Sequence, residues 1–240
     1  MMSTVLRAQT HSADAVHLFQ MQSFFKDAVI TTTPYGEGAF FYGNSDVVSN
    51  YTFGVRGGYD VSQALEVGAA LAFASVDPDF GEGQSGLTDL LLSARYKIRL
   101  SGNTKLVAGG FLTLPMGAKD IGENHLDFGA FGALRHPLNS GVVLTANLGL
   151  DFIEIGSGPA EDRKLSLALG GGVIYPVNSQ VAIVGELNLE TETEYALLSG
   201  GVDYQLKSGS RLRGTLGFGL NDGAPDFLFG AGFLMSFPSQ

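Results

Sequence analysis

Three features of the sequence predict an all-β chain, a transmembrane antiparallel up-and-down β-barrel of twelve strands. Segments alternate large apolar residues with small or charged ones, and short turn signals separate them. No apolar run reaches the ~18 residues that a membrane-spanning helix needs. The longest candidates, Leu106–Ala118 and Leu165–Val177, are interrupted by Gly, Thr, Ser and Pro.

The alternation is clearest in Asp89–Leu100. One face reads Leu90, Leu92, Ala94, Tyr96, Ile98 and Leu100; the other reads Asp89, Leu91, Ser93, Arg95, Lys97 and Arg99. Leu65–Ser75 sets Leu65, Val67, Leu71 and Phe73 against Glu66, Gly68 and alanines, and Arg211–Leu220 sets Leu212, Leu216 and Phe218 against Arg211, Arg213 and Thr215. Leu165–Tyr175 follows the same rule, with Ile174 an exception on the small face. The wet face of a soluble sheet would carry long polar side chains and few glycines. Glycine here is 34 of 240 residues, so the small face is expected to line a confined lumen and the large face to meet lipid.

Short turn signals fall at Val61-Ser62-Gln63, Ser101-Gly102-Asn103, Leu138-Asn139-Ser140, Val177-Asn178-Ser179 and Ser208-Gly209-Ser210, alternating with generally longer, acidic connections. That is the meander of a barrel with tight turns at one end and loops at the other. Eleven strands run from Ser49 to Phe237, and the even number of bacterial barrels places a twelfth around Thr33–Gly43. The last strand puts Phe227, Phe229, Phe233, Met235 and Phe237 on one face, like the C-terminal assembly strand of outer-membrane proteins.

Composition removes other classes. There is no cysteine, hence neither disulfide nor thiolate metal site, and a net charge of −10 is wrong for a nucleic-acid binder. Met1–Ala13 carries Arg7 but lacks the apolar core of a secretory signal.

Projected inward, the strands place Arg56, Asp60, Glu66, Asp89, Arg95, Lys97, Arg99, Asp127, Arg135, Asp151, Glu186, Glu190, Asp203, Arg211 and Arg213 in the lumen, with Lys105, Lys164 and Lys207 as further basic candidates. Unpaired buried ions cost several kcal/mol, so these charges are expected to pair or to be hydrated. They can form either a structural ladder of ion pairs or a constriction that sorts solutes. The longer loops carry Asp77, Asp79, Glu82, Asp120, Glu123, Glu161, Asp162, Glu192 and Glu194, read as an acidic vestibule enriching cations, as ordinary solvated loops, or as carboxylates bridged to lipopolysaccharide phosphates through divalent cations. Residues 1–28 form a leader distinct from the barrel at 29–240. Within Asp14–Val29, Leu18, Met21 and Phe25 fall near helical spacing after a candidate N-cap, Asp14. This segment is either an amphipathic helical plug or a disordered or periplasmic leader.

The succession Val55-Arg56-Gly57-Gly58-Tyr59, Gly86-Leu87-Thr88-Asp89-Leu90, Ser93-Ala94-Arg95-Tyr96-Lys97 and Leu114-Pro115-Met116-Gly117, extended by Asn147-Leu148-Gly149 and Gly185-Glu186-Leu187, resembles the outer-membrane channel family of the phenol-degradation meta pathway. The resemblance implies a twelve-stranded barrel that passes small, often hydrophobic or aromatic, molecules. The four histidines show no catalytic arrangement: His11 and His17 lie in the leader, His125 shares a face with Asp127 without a partner serine, and His136 lies at a turn. The expectation is therefore a non-enzymatic, monomeric channel for passive diffusion in the outer membrane of a Gram-negative bacterium. Its partners would be lipid, lipopolysaccharide and a small solute, with neither cofactor nor metal. The alternatives are a closed structural or adhesion barrel and a lipid-active barrel enzyme.

Overall fold

The computed structural model describes residues 13–29, 31, 33–98, 100, 102–119, 121–122, 125–155 and 162–237, with only the backbone at 14, 155 and 162. Twelve antiparallel strands follow in order: β1 Tyr35–Ser45, β2 Val48–Asp60, β3 Leu65–Pro78, β4 in two pieces at Gln84–Leu87 and Leu90–Ile98, β5 Lys105–Leu114, β6 Asp127–Pro137, β7 Val143–Ile155, β8 Asp162–Pro176, β9 Val181–Glu190, β10 Tyr195–Gln205, β11 Arg211–Gly219 and β12 Phe227–Ser236. Each pairs with its neighbours in sequence, and β1 pairs with β12 from Tyr35↔Ser236 to Asn44↔Phe227, which closes the sheet. Closure removes the unpaired edges that could not survive in hydrocarbon. The first strand, expected around Thr33–Gly43, is present and starts two residues later, at Tyr35.

The turn chemistry explains the tight end. Gly102, Gly141 and Gly209 take left-handed φ values of 91°, 83° and 88°, conformations that favour glycine. Where glycine is absent, side chains cap the turn. Asn178 Oδ1 accepts from the N–H groups of Gln180 and Val181 at 2.8 and 2.9 Å, and Ser62 Oγ accepts from Leu65 N–H.

The outer face is a continuous band of exposed apolar side chains, among them Leu148, Leu165, Val202 and Leu216. Tyr59, Tyr96, Tyr175 and Tyr204 ring it beside the tight turns, where amphipathic rings meet headgroups. Buried charges occupy the inner face. The strand periodicity has therefore sorted lipid from lumen.

β4 departs from regular alternation. Leu87 lies opposite Phe73 while Leu91 lies opposite Ala70, so one extra residue is accommodated at Thr88-Asp89. The Thr88 hydroxyl accepts from Ala72 N–H at 3.0 Å, and Thr88 N–H donates to Ala72 O at 2.8 Å. This bulge reverses which side chains face inward along the strand.

Candidate functional site

The lumen is occupied by the leader. Residues 13–29 run inside the barrel, nearer its tight-turn end, as a 3₁₀ turn (Ala13–Ala15), a single helical turn (Met21–Phe24) and otherwise irregular chain. Of the two sequence readings of Asp14–Val29, the amphipathic helix is reduced to that one turn. The helical turn starts after Gln20 with no side-chain cap. The reason is physical: the wall supplies hydrogen-bond partners to the leader's main chain, so helix is not needed to satisfy it.

Those partners are the predicted lumen charges. Arg56 Nη2 donates to Phe19 O at 2.7 Å, Arg95 Nη1 to Asp27 O at 3.0 Å, Arg135 Nη2 to Val16 O at 2.6 Å, and Arg213 Nη2 to Leu18 O at 2.9 Å and to His17 O. Glu186 accepts from Phe19 N–H, Gln20 N–H and Ser23 Oγ–H. Charge-assisted bonds of this kind are the stronger class. The leader adds two charges of its own: Asp27 pairs with Arg135 and accepts from Thr145 Oγ–H, and Lys26 pairs with Asp151.

Apolar contacts complete the seat. Val16, Leu18 and Phe19 pack on Val143, Ile174, Ala182 and Val184. Phe24 and Phe25 pack on Tyr35, Ala70 and Leu234, and Ala28 on Val107 and Phe131. Ile174, the exception to the small face of β8, is fully buried (0%) in the first of these clusters, so the exception marks where the leader rests. Leu18 and Phe25 are buried, whereas Met21, which shares their sequence pattern, is 40% exposed and faces a cavity.

Arg56, Glu66, Asp89, Arg95, Asp127, Arg135, Asp151, Glu186, Asp203, Arg211 and Arg213 are all buried on the inner face. Among them, Arg95 pairs with Glu66, and Arg211 with Asp203. Asp60, Lys97 and Glu190 are half-buried near the barrel ends. Arg99 lies outside the described residues. Lys207 is exposed in the β10–β11 turn rather than in the lumen.

Sequence reasoning missed Glu37, which accepts from Arg56 Nε and Arg213 Nη1, both at 2.7 Å, and it missed Lys26 and Asp27. The signal for Glu37 was present. It is a lone carboxylate among small residues on the alternation of the first strand.

At the loop end, Asp77, Asp79, Glu82 and Glu194 are exposed, while Glu192 pairs with Lys164 at 3.3 Å. Asp120, Glu123 and Glu161 lie outside the described residues, as does the side chain of Asp162. His125 Nδ1 is 3.8 Å from Glu154 Oε1, and His136 Nδ1 is 2.8 Å from Thr104 Oγ1.

A closed twelve-stranded barrel with an apolar outer band, an aromatic ring and paired charges within is a transmembrane barrel of the outer-membrane type. The chain belongs to the family described as "Putative MetA-pathway of phenol degradation", whose model matches residues 8–237. Among solved structures it is similar to the COG4313 outer membrane channel from Pseudomonas putida F1, with a TM-score of 0.76, 17% identity, and coverage of 88% of this chain and 98% of that one. The KdgM porin, solved with disordered oligogalacturonate, matches with a TM-score of 0.59 at 10% identity, covering 84% and 99% of the two chains. The NanC porin matches with a TM-score of 0.57 at 11% identity, covering 86% and 100%. No curated protein matches the sequence.

Proposed function

We propose that this chain is an outer-membrane channel for passive diffusion of small apolar or aromatic molecules, and that its leader is a releasable plug. The observation that carries this reading is the way the leader is held. Four wall arginines and Glu186 bind main-chain atoms of residues 16–27, so much of the lumen's charge is directed at the leader rather than at a solute. A segment held by discrete polar contacts and three small apolar clusters, with no place in the sheet, can leave without disturbing the wall. Family membership supports the apolar, aromatic class of solute.

The test is conductance in planar bilayers. The full chain should show small or rare openings, and the chain lacking residues 1–28 discrete larger steps, reduced in amplitude by added phenol. Unchanged conductance on deletion would reject the plug. Silence from both forms would favour the second reading, a closed structural barrel, for which the filled lumen speaks. We assign no catalytic role to the histidines: His17 is packed between rings, and His125 and His136 sit at the barrel ends.

A further inference from the structure

Above the leader, on the loop side, lies a cavity of about 330 Å³. Met21 and Arg56 form its floor; Ala39, Ala72, Leu91 and Thr113 stand in its wall; Ile121 and Gly122 cover it. Its cover belongs to the β5–β6 connection, which folds inward on the bulge of β4. Gly117 N–H donates to Asp89 Oδ1 at 2.7 Å, and Ala118 N–H to Leu87 O at 2.8 Å. A Cβ at Gly122 would stand 2.6 Å from Asp89 Oδ1, and one at Gly117 would stand 2.7 Å from the same oxygen, so both positions require glycine for this approach. Two motifs that are separate in sequence, Gly86–Leu90 and Leu114–Gly117, are thus one contact in space.

We infer that this cavity is a binding chamber for a single compact, uncharged apolar molecule, bounded on the loop side by Ile121 and Gly122 and latched where Gly117 meets Asp89. The inference rests on the channel reading above and adds the place where a solute pauses. Volume and lining decide the ligand class. A void of ~150 Å³ takes a benzene, so this one takes a one- or two-ring body, and ligand pockets begin at roughly 300 Å³. Its two charged groups are already engaged: Arg56 bonds Glu37 and Phe19 O and stacks on the Phe24 ring at 3.7 Å, and Asp89 holds the loop. A charged ligand would find no counter-charge on offer, whereas alanines, Leu91 and the adaptable thioether of Met21 suit an apolar one. Because Asp89 reaches the loop only through the extra residue at Thr88-Asp89, the bulge is what turns the carboxylate into a latch.

The probe is fluorobenzene, followed by fluorine NMR with the full chain in phosphatidylcholine nanodiscs. The expected result is a saturable bound resonance at one equivalent per chain, distinct from probe dissolved in lipid. Ala72→Phe, which fills the chamber, should abolish it, and Thr113→Leu serves the same purpose should the first variant fail to fold. Asp89→Ala, which removes the charge-assisted hydrogen bond to Gly117, should raise the exchange rate of bound probe at least about tenfold. Absence of a saturable signal in the native chain, or its persistence in both filled variants, overturns the chamber. Unchanged exchange in Asp89→Ala overturns the latch. Either failure is separable from that of the channel reading, because the leader-deleted chain would still conduct.

Discussion

Glu37 is the residue on which the seat of the leader turns. Its carboxylate lies between Arg56 and Arg213, and both arginines also hold main-chain oxygens of the leader. Glu37→Gln removes the carboxylate that Arg56 and Arg213 share, leaving Arg213 with Asp203 Oδ2 at 3.4 Å from its Nε, a defect of about 3–5 kcal/mol where one partner of a buried pair is lost. More frequent channel openings and a lower temperature of heat-modified gel migration are expected; unaltered openings would show that the pair does not hold the leader. His17 adds a pH dependence. Burial first, and then the nearby Arg95, Arg213, Arg135 and Arg211, hold its imidazole well below its usual range, and its Nδ1 has no hydrogen-bond partner among the described residues. A docked His17 therefore resists the proton, while a released one accepts it near pH ~6.5. Docking is at full strength above that value and weakens as the pH falls below it. Open probability should rise between about pH 7 and pH 5, and His17→Phe should flatten that rise.

At the scale of elements, the leader and β8 answer one another. Helical spacing in Asp14–Val29 was legible because apolar residues recur there, but one helical turn forms, since the wall's arginines and Glu186 satisfy the main chain side by side. Ile174 breaks the small face of β8 because the leader needs an apolar floor at that height. Ile174→Ser would place a hydroxyl in that cluster and remove apolar burial, a loss of roughly 2–3 kcal/mol. Conductance should shift toward that of the leader-deleted chain without loss of barrel assembly. A variant as quiet as the native chain would mean that the cluster contributes little to docking.

For the whole molecule, the balance of charge differs between lumen and rim. Inside, the arginines are matched by Glu37, Glu66, Asp27 and Asp203. At the loop end Asp77, Asp79, Glu82 and Glu194 remain exposed, although Lys164 pairs with Glu192. A rim of this sign attracts cations over about a Debye length, ~10 Å at 0.1 M salt. Replacing Asp77, Asp79 and Glu82 together by Asn, Asn and Gln should move the reversal potential of the leader-deleted chain toward zero at low salt and leave it unmoved at high salt. An unmoved potential at low salt would reject the vestibule.

The barrel was legible in the sequence because alternation along a strand is a local property. Each wall residue faces lipid or lumen according to its parity, and each tight turn is written in its own Gly, Asn or Ser. Strand order follows from short connections, so the closed meander required little beyond counting. The partners of the lumen charges were not legible. Arg135 meets Asp27, and Arg213 meets Glu37, across more than a hundred residues of chain, through a lumen whose geometry exists only after closure. The bulge in β4 was hidden for a related reason: the change of parity at Thr88-Asp89 is defined only against the register of β3 beside it. By itself the sequence determined the wall, its inner and outer faces and its charge. Tertiary structure alone decided what fills the lumen, because residues 13–29 and the long-range ion pairs take their positions from the closed barrel around them.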